Sequence, residues 1–184
     1  MKRIIYIIPV LILVLVITEA CNDKATQIWN EYTETREANE LFYKEQTELL
    51  DENGEKFYTK IVPAWDMGSE ILIHYFNDRA ETEGNLTPML TSRCAISYIG
   101  RNSRGVAFDS SFTATSRVSY FRPQETITGW WIALENMRVG DSCRVVLPYN
   151  VAYGSSGTTS GAIGPFETLV FDMKLVDIVD YSIK

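Results

Sequence analysis

From residue 57 onward the chain is a succession of short β-branched and aromatic runs, interrupted once by a helical segment. The first runs are Phe57-Tyr58-Thr59-Lys60-Ile61-Val62 and Ile71-Leu72-Ile73-His74-Tyr75-Phe76. Next come Cys94-Ala95-Ile96-Ser97-Tyr98-Ile99, Val106-Ala107-Phe108 and Val118-Ser119-Tyr120-Phe121. Arg144-Val145-Val146-Leu147 and the stretch 168–176 complete the series. Gly, Pro, Asn or Ser bounds most of them, as expected of strands in a small sheet. The exception is a short helical segment over 130–136, closed by Met137-Arg138-Val139-Gly140. Many strands and a single short helix predict an α+β fold, an antiparallel sheet wrapped around that helix.

An N-terminal helix precedes this region. Ala25, Ile28, Trp29, Tyr32, Ala38, Leu41, Phe42 and Leu49 recur at spacings of three and four, which gives one apolar stripe on a charged helix. Asn53-Gly54 reads as its stop. Residues 21–55 are thus a helical stalk or extension, packed on their own domain or leading away from a membrane. A homodimer through this helix is a further reading, although the stripe lacks the sustained heptads of a coiled coil.

The first twenty residues have a different character. Lys2-Arg3 precede an apolar run over 4–17 that only Pro9 breaks, and Ala20 stands just before Cys21. A basic start, an apolar middle and a small residue at the cut describe a secretory signal over 1–20. The run falls short of the roughly 20 residues a membrane-spanning helix needs. Cys21 sits where a bacterial lipoprotein signal places its lipidated cysteine, though Thr18 and Glu19 replace the usual Leu and small residue. The expectation is an exported protein, held to a membrane by a lipidated Cys21 and facing the periplasm or cell surface.

Charge and residue supply exclude several chemistries. The formal net charge is −7, and removing the leader makes it one unit more acidic, which opposes nucleic-acid binding through phosphate contacts. His74 is the single histidine; in a strand-like run it reads as a partly buried structural residue, and no multi-histidine metal site can form. Cys94 and Cys143, without CxxC spacing, read as small apolar core residues. No nucleotide-binding glycine motif or calcium loop is present, and the Gly/Ser/Thr-rich stretch 154–164 lacks the lysine of a phosphate cradle, so it reads as a flexible surface loop. Neither a metal nor a cofactor is expected.

Six motifs in order then resemble one family. They are Tyr98-Ile99-Gly100, Gly105-Val106-Ala107-Phe108-Asp109-Ser110-Ser111, Ile127-Thr128-Gly129-Trp130, Met137-Arg138-Val139-Gly140, Val151-Ala152-Tyr153-Gly154 and Thr168-Leu169-Val170-Phe171-Asp172. Over about residues 93–178 the chain resembles the catalytic domain of FKBP-type peptidyl-prolyl cis-trans isomerases. The resemblance implies an FKBP-like antiparallel half-barrel over 56–184. The region 57–76 would supply its first strand, interrupted at 63–68. The strands carrying Cys94 and Cys143 would not be neighbours, which argues against a disulfide.

The resemblance also implies a site. Tyr98, Asp109 and Tyr153 take the catalytic positions; Phe108, Val118, Tyr120, Ile127, Trp130, Ile163 and Phe171 take the substrate-binding ones. Trp130 would form the floor of an apolar pocket holding a proline ring while the X-Pro bond of a polypeptide rotates. Tyr153 would donate to a substrate carbonyl, and Asp109 would orient Tyr98. The chain departs from the family's pattern at the pocket mouth. Val118 replaces an aromatic, 112–123 is one residue short, 154–165 is one residue long, and Thr158 or Thr159 stands where histidine is common. Those departures keep a second expectation open, a binding module or chaperone that has the fold without catalysis.

Overall fold

The computed structural model describes Lys24 and residues 26–180. The expected signal over 1–20 and Cys21 lie outside the described residues. The chain divides into two compact units, Met1–Glu34 and Thr35–Lys184. In the first, residues 26–31 are helical and the Tyr32 N–H donates to the Ile28 carbonyl at 3.1 Å. No helix among the described residues is long and apolar enough to cross a membrane.

Helix α1 (Thr33–Glu48) leads into the second unit. Its strands are β1 (Thr59–Ile61), β2 (Ile71–Tyr75), β3 (Arg93–Asn102), β4 (Ala107–Ser110), β5 (Ser119–Phe121), β6 (Ser142–Leu147) and β7 (Leu169–Asp180). Helix α2 (Thr128–Glu135) lies between β5 and β6 in sequence. The sheet order is β1-β2-β6-β7-β3-β4, with β5 also pairing β3, and all pairings are antiparallel. This is the expected α+β sheet around one short helix.

Period-2 alternation gives the sheet two apolar faces. Ile71, Ile73, Ile96, Val145, Leu147, Leu169 and Leu175 pack in one buried core with Ile132, Ala133 and Leu134 of α2. Gly129 permits the close docking of α2, because a Cβ there would stand 2.6 Å from Leu147 Cδ2. The intervening residues Leu72 and Val146 are equally buried, but in a second cluster with Tyr58, against which Phe42 and Tyr43 of α1 and Val170 of β7 pack. The second cluster makes α1 a cover for part of the sheet's other face.

The face that α1 presents differs from the apolar stripe read from its sequence. Leu41 is exposed, whereas Arg36 and Asn39 are buried. Asn39 explains its own burial: its Oδ1 accepts the Thr168 N–H at 2.8 Å, its carbonyl accepts the Thr168 hydroxyl at 3.2 Å, and its Nδ2 donates to the Thr35 carbonyl at 2.8 Å. A buried amide with these partners satisfied is tolerated in a core, and a hydropathy stripe is blind to it.

A second difference concerns 57–76. The two runs, separated by the turn expected around 63–68, form a hairpin with Thr59 opposite Ile73 and Ile61 opposite Ile71, in place of the single interrupted strand that the resemblance implies. The connection folds on Asp66, whose carboxylate accepts the Gly68 N–H at 2.9 Å and the Ser69 hydroxyl at 2.6 Å. An Asx turn of this kind reverses the chain where a bulge would have continued it. Cys94 on β3 and Cys143 on β6 are free, buried thiols, and β7 runs between their strands. His74 on β2 stacks on Phe57 at 3.9 Å, and its Nδ1 lies 2.8 Å from the Phe57 carbonyl oxygen.

On the α1-covered side, Asp172 joins three strands. Its carboxylate accepts from Arg144 Nε at 2.6 Å, Arg144 Nη2 at 2.9 Å and Arg101 Nη1 at 2.8 Å. Burial pushes this carboxyl up, but the hydrogen bonds and charges of Arg144 and Arg101 outweigh it and hold Asp172 below the ordinary carboxylate range. A folded-state value below the unfolded one, near 3.9 for a free Asp, stabilises the fold above the unfolded value. That contribution is lost as pH falls through the folded value. Asp172→Asn is expected to cost about 1.5–3 kcal/mol at neutral pH and to flatten the acid limb of stability below about pH 4. Urea melts at pH 7 and pH 3 measure both effects. An acid limb as steep as that of the unmodified chain contradicts the assignment.

Candidate functional site

The cavity on the α2 side has a volume of about 380 Å³ and is lined by Tyr98, Phe108, Asp109, Phe121, Glu125, Thr126, Ile127, Trp130, Tyr153 and Phe171. Trp130 is 5% exposed, and three rings meet it edge-on. Tyr98 lies at 4.9 Å and 86°, Phe171 at 5.2 Å and 86°, and Phe121 at 5.4 Å and 83°. Edge-to-face packing places positive ring edges against a negative ring face and fixes each orientation. Phe108 meets Phe171 in the same manner at 5.7 Å and 88°.

Local sequence sets these positions. A 3-10 turn, Pro123–Glu125, precedes α2, and the Thr126 hydroxyl caps its end by donating to the Pro123 carbonyl at 2.7 Å. Ile127 is the extended N-cap of α2, and its carbonyl accepts the Trp130 N–H at 3.0 Å. Tyr98 and Phe171 come from the core-facing sides of β3 and β7. Phe108 and Asp109 are neighbours in one strand and would ordinarily point to opposite faces. The register shift resolves this: Gly100 pairs with Asp109 and Arg101 with Ala107, leaving Phe108 as the extra residue of a bulge. A bulge re-aims the side chains beside it, and both residues reach the cavity.

The polar groups form a hydrogen-bonded wall. The Tyr98 hydroxyl donates to Asp109 Oδ2 at 2.7 Å, and Asp109 Oδ1 accepts the Ser110 N–H at 2.8 Å. Ser111 Oγ accepts the Tyr98 N–H at 2.9 Å, which ties β3 to the end of β4. Burial pushes the Tyr98 phenol up, and the bond to Asp109 adds to it. Tyr153 is likewise raised, first by burial and then by the Asp109 charge. Both phenols therefore keep their protons at neutral pH. Tyr98 spends its proton on Asp109, whereas Tyr153 is 40% exposed at the cavity. Such a set can enclose an apolar ring and donate a hydrogen bond; it holds no nucleophile–base pair.

Of the residues expected from sequence, the cavity brings together Tyr98, Phe108, Asp109, Ile127, Trp130, Tyr153 and Phe171. Three others do not line it. Tyr120 is exposed, with the Arg93 guanidinium 4.9 Å from its ring centre. Val118 lies outside the lining, its carbonyl accepting from the Ser116 hydroxyl. Ile163 is buried in the core beneath its loop. That loop holds itself: the Thr158 N–H donates to the Ile163 carbonyl at 2.9 Å, and the Ile163 N–H donates back to Thr158 Oγ1 at 3.0 Å.

Phe121, Glu125 and Thr126 also line the cavity, in addition to the expected site residues. Along β5, Tyr120 pairs with Ala95 of β3 and Phe121 with Cys94 of β3. A displacement of one residue along a strand moves a side chain to the opposite face, so the one-residue shortening of 112–123 makes Phe121 the inward aromatic. Glu125 and Thr126 directly precede Ile127, and their adjacency to that motif was the available signal.

The sequence profile described as FKBP-type peptidyl-prolyl cis-trans isomerase matches residues 84–176. A macrophage infectivity potentiator of Trypanosoma cruzi is 40% identical over 105 residues, covering 57% of this chain and 53% of that protein. The FKBP-type 22 kDa peptidyl-prolyl cis-trans isomerase of Escherichia coli is 37% identical over 92 residues, covering 50% of this chain and 44% of that one. The chain thus spans about half the length of these curated relatives, or less. Among solved structures, a peptidyl-prolyl cis-trans isomerase of Pseudomonas syringae superposes with a TM-score of 0.63 at 26% identity, covering 81% of this chain and 96% of that one. FkpA of Escherichia coli gives 0.63 at 25% identity, covering 91% and 71%.

Proposed function

The chain belongs to the FKBP-type peptidyl-prolyl cis-trans isomerase family, and from that membership we propose that it accelerates rotation about X-Pro bonds in exported polypeptides. The observation that carries the reading is the cavity itself, an aromatic enclosure on Trp130 with one uncommitted phenol, Tyr153, beside it. Unaided rotation faces a barrier of roughly 18–20 kcal/mol because amide resonance must be broken. The planar amide is more polar than the twisted one, so water favours the planar form. Enclosing the proline ring among Trp130, Phe108, Phe121 and Phe171 withdraws that water and favours the twisted geometry. Tyr153 donates to a substrate carbonyl, and Asp109 holds Tyr98 so that the wall keeps its shape. No proton is transferred.

A tetrapeptide containing one proline tests this directly. The intact protein should speed its cis-to-trans relaxation. Asp109→Ala, which strips Tyr98 of its acceptor, should lower kcat/KM about 10–100-fold, and Tyr153→Phe should lower it about 5–20-fold. Unchanged rates in both variants remove the polar roles. No acceleration by the unmodified protein leaves the second reading, a binding module with the family fold.

The sequence supports the setting of this activity. The basic start, apolar run and Cys21 favour export, with lipidation of Cys21 holding residues 56–184 to a membrane at the periplasm or cell surface. Residues between the anchor and Thr35 would act as the tether. Leu41, exposed on α1, keeps that helix as the face for a homodimer.

A further inference from the structure

A second cavity, of about 290 Å³, lies between α1 and the sheet face turned away from the aromatic cavity, and the two share no lining residue. Its volume is at the small end of the roughly 300–1,000 Å³ typical of small-molecule sites. Phe42 of α1, the Tyr58 ring and Val170 of β7 make part of its wall apolar. Arg101, near the end of β3, and Arg144 of β6 bring charge to the rest.

The charges there do not balance. Both arginines pair with Asp172 and with no other carboxylate among the described residues, and Asp172 itself does not line the cavity. Two guanidiniums thus share one carboxylate and leave one positive charge in excess. The bonds to Asp172 use Arg144 Nε and Nη2 and Arg101 Nη1, so Arg144 Nη1 and Arg101 Nε and Nη2 meet no acid. The Arg104 guanidinium, in the adjoining turn, is taken by Glu167 at 3.3 Å. Gln46 and Ser103 also line the cavity, and neither side chain bonds to another described residue. Guanidinium forks match the two oxygens of a carboxylate. A single excess charge beside an apolar wall suits a monoanion with an apolar body; a phosphate carries more charge and no apolar part.

We propose that this cavity binds a small organic carboxylate, with its anion held by Arg101 and Arg144 and its apolar body seated on Phe42, Tyr58 and Val170. The Arg101 and Arg144 guanidiniums supply the attraction, and Asp172, bonded to both, opposes it as a like charge. The site stands apart from the isomerase reading, because none of its residues belongs to the aromatic cavity.

The test titrates the isotope-labelled protein with phenylacetate at pH 7 and constant ionic strength, followed by NMR. Saturable shifts at Arg101, Ser103 and Gln46 are expected at about 1–10 mM, the range open to so small a ligand, with the Trp130 indole signal unmoved. Phenylacetamide, which has the same shape without the charge, should bind about tenfold more weakly, and so should inorganic phosphate. Arg101→Gln leaves Arg144 and Asp172 as a balanced pair and should weaken binding about tenfold. Asp172→Asn removes the opposing charge and should tighten it about threefold. Both replacements disturb the same ion cluster, so opposite signs separate binding from damage to the fold. Gln46→Glu, which adds a carboxylate from α1, should weaken binding about threefold and keeps the test valid if Arg101→Gln fails to fold. No saturation by about 50 mM, shifts centred on Trp130, or unchanged binding in all three variants overturns the proposal. Equal affinity for phenylacetamide or for phosphate overturns it as well.

Discussion

Trp130→Ala is expected to destabilise the protein by about 3–5 kcal/mol, the usual range for deleting a large buried aromatic. An indole buries roughly 150–250 Å², and at about 25 cal/mol per Å² that area alone corresponds to about 4–6 kcal/mol. Local geometry argues against easy collapse of the resulting hole. Tyr98, Phe121 and Phe171 each meet Trp130 edge-on from a different strand, and the sheet cannot close on the gap without breaking its pairings. Tyr98 is moreover held at its hydroxyl by Asp109 and at its amide by Ser111. The urea midpoint reads the loss. Trp130→Phe should recover more than half of it, because a ring still meets the three edges. Should Trp130→Ala cost under about 1 kcal/mol, the indole is not the keystone of this core.

Gly100→Ala is expected to act on the cavity more than on the backbone. An added Cβ would stand 2.7 Å from Phe108 Cζ and 2.7 Å from Phe171 Cε1. Both rings belong to the cavity wall, and Gly100 faces Phe171 across one pairing and Asp109 across the other. Accommodating a methyl group drives the rings into the cavity, the space we propose for proline. Overpacking of this kind costs about 1–3 kcal/mol in stability, and a comparable loss of substrate fit lowers kcat/KM about tenfold or more. The expected split is a raised KM with a smaller change in kcat, since the polar wall at Tyr98 and Asp109 is untouched. Tetrapeptide kinetics at several substrate concentrations separate the two parameters. A lowered kcat at constant KM would contradict the steric account.

The two replacements bear on one design. The cavity is apolar because strands with core-facing aromatics converge on one helix. It stays open because a residue without a side chain lies where two of those aromatics meet. Its polar groups are few and are mostly committed to one another, which suits a reaction that needs shape and exclusion of water and transfers no proton.

Much of this was legible in the residues alone. The β-branched runs marked most strands, the segment after Gly129 marked the helix, and the ordered motifs marked seven residues that line the cavity. Those signals are local: alternation, capping and short motifs survive in the linear chain. The tertiary structure decided what depends on pairing. That the two runs of 57–76 pair with each other rested on the turn that Asp66 closes with its hydrogen bonds. The choice between Tyr120 and Phe121 as the inward aromatic rested on the register of β5 against β3. The joint use of Phe108 and Asp109 rested on a bulge opposite Gly100 and Arg101. The buried face of α1 rested on Asn39 finding Thr168, a residue far along the chain. In each case the deciding contact joins segments distant in sequence, and a register of one residue, invisible to composition or hydropathy, sets which side chain meets the core.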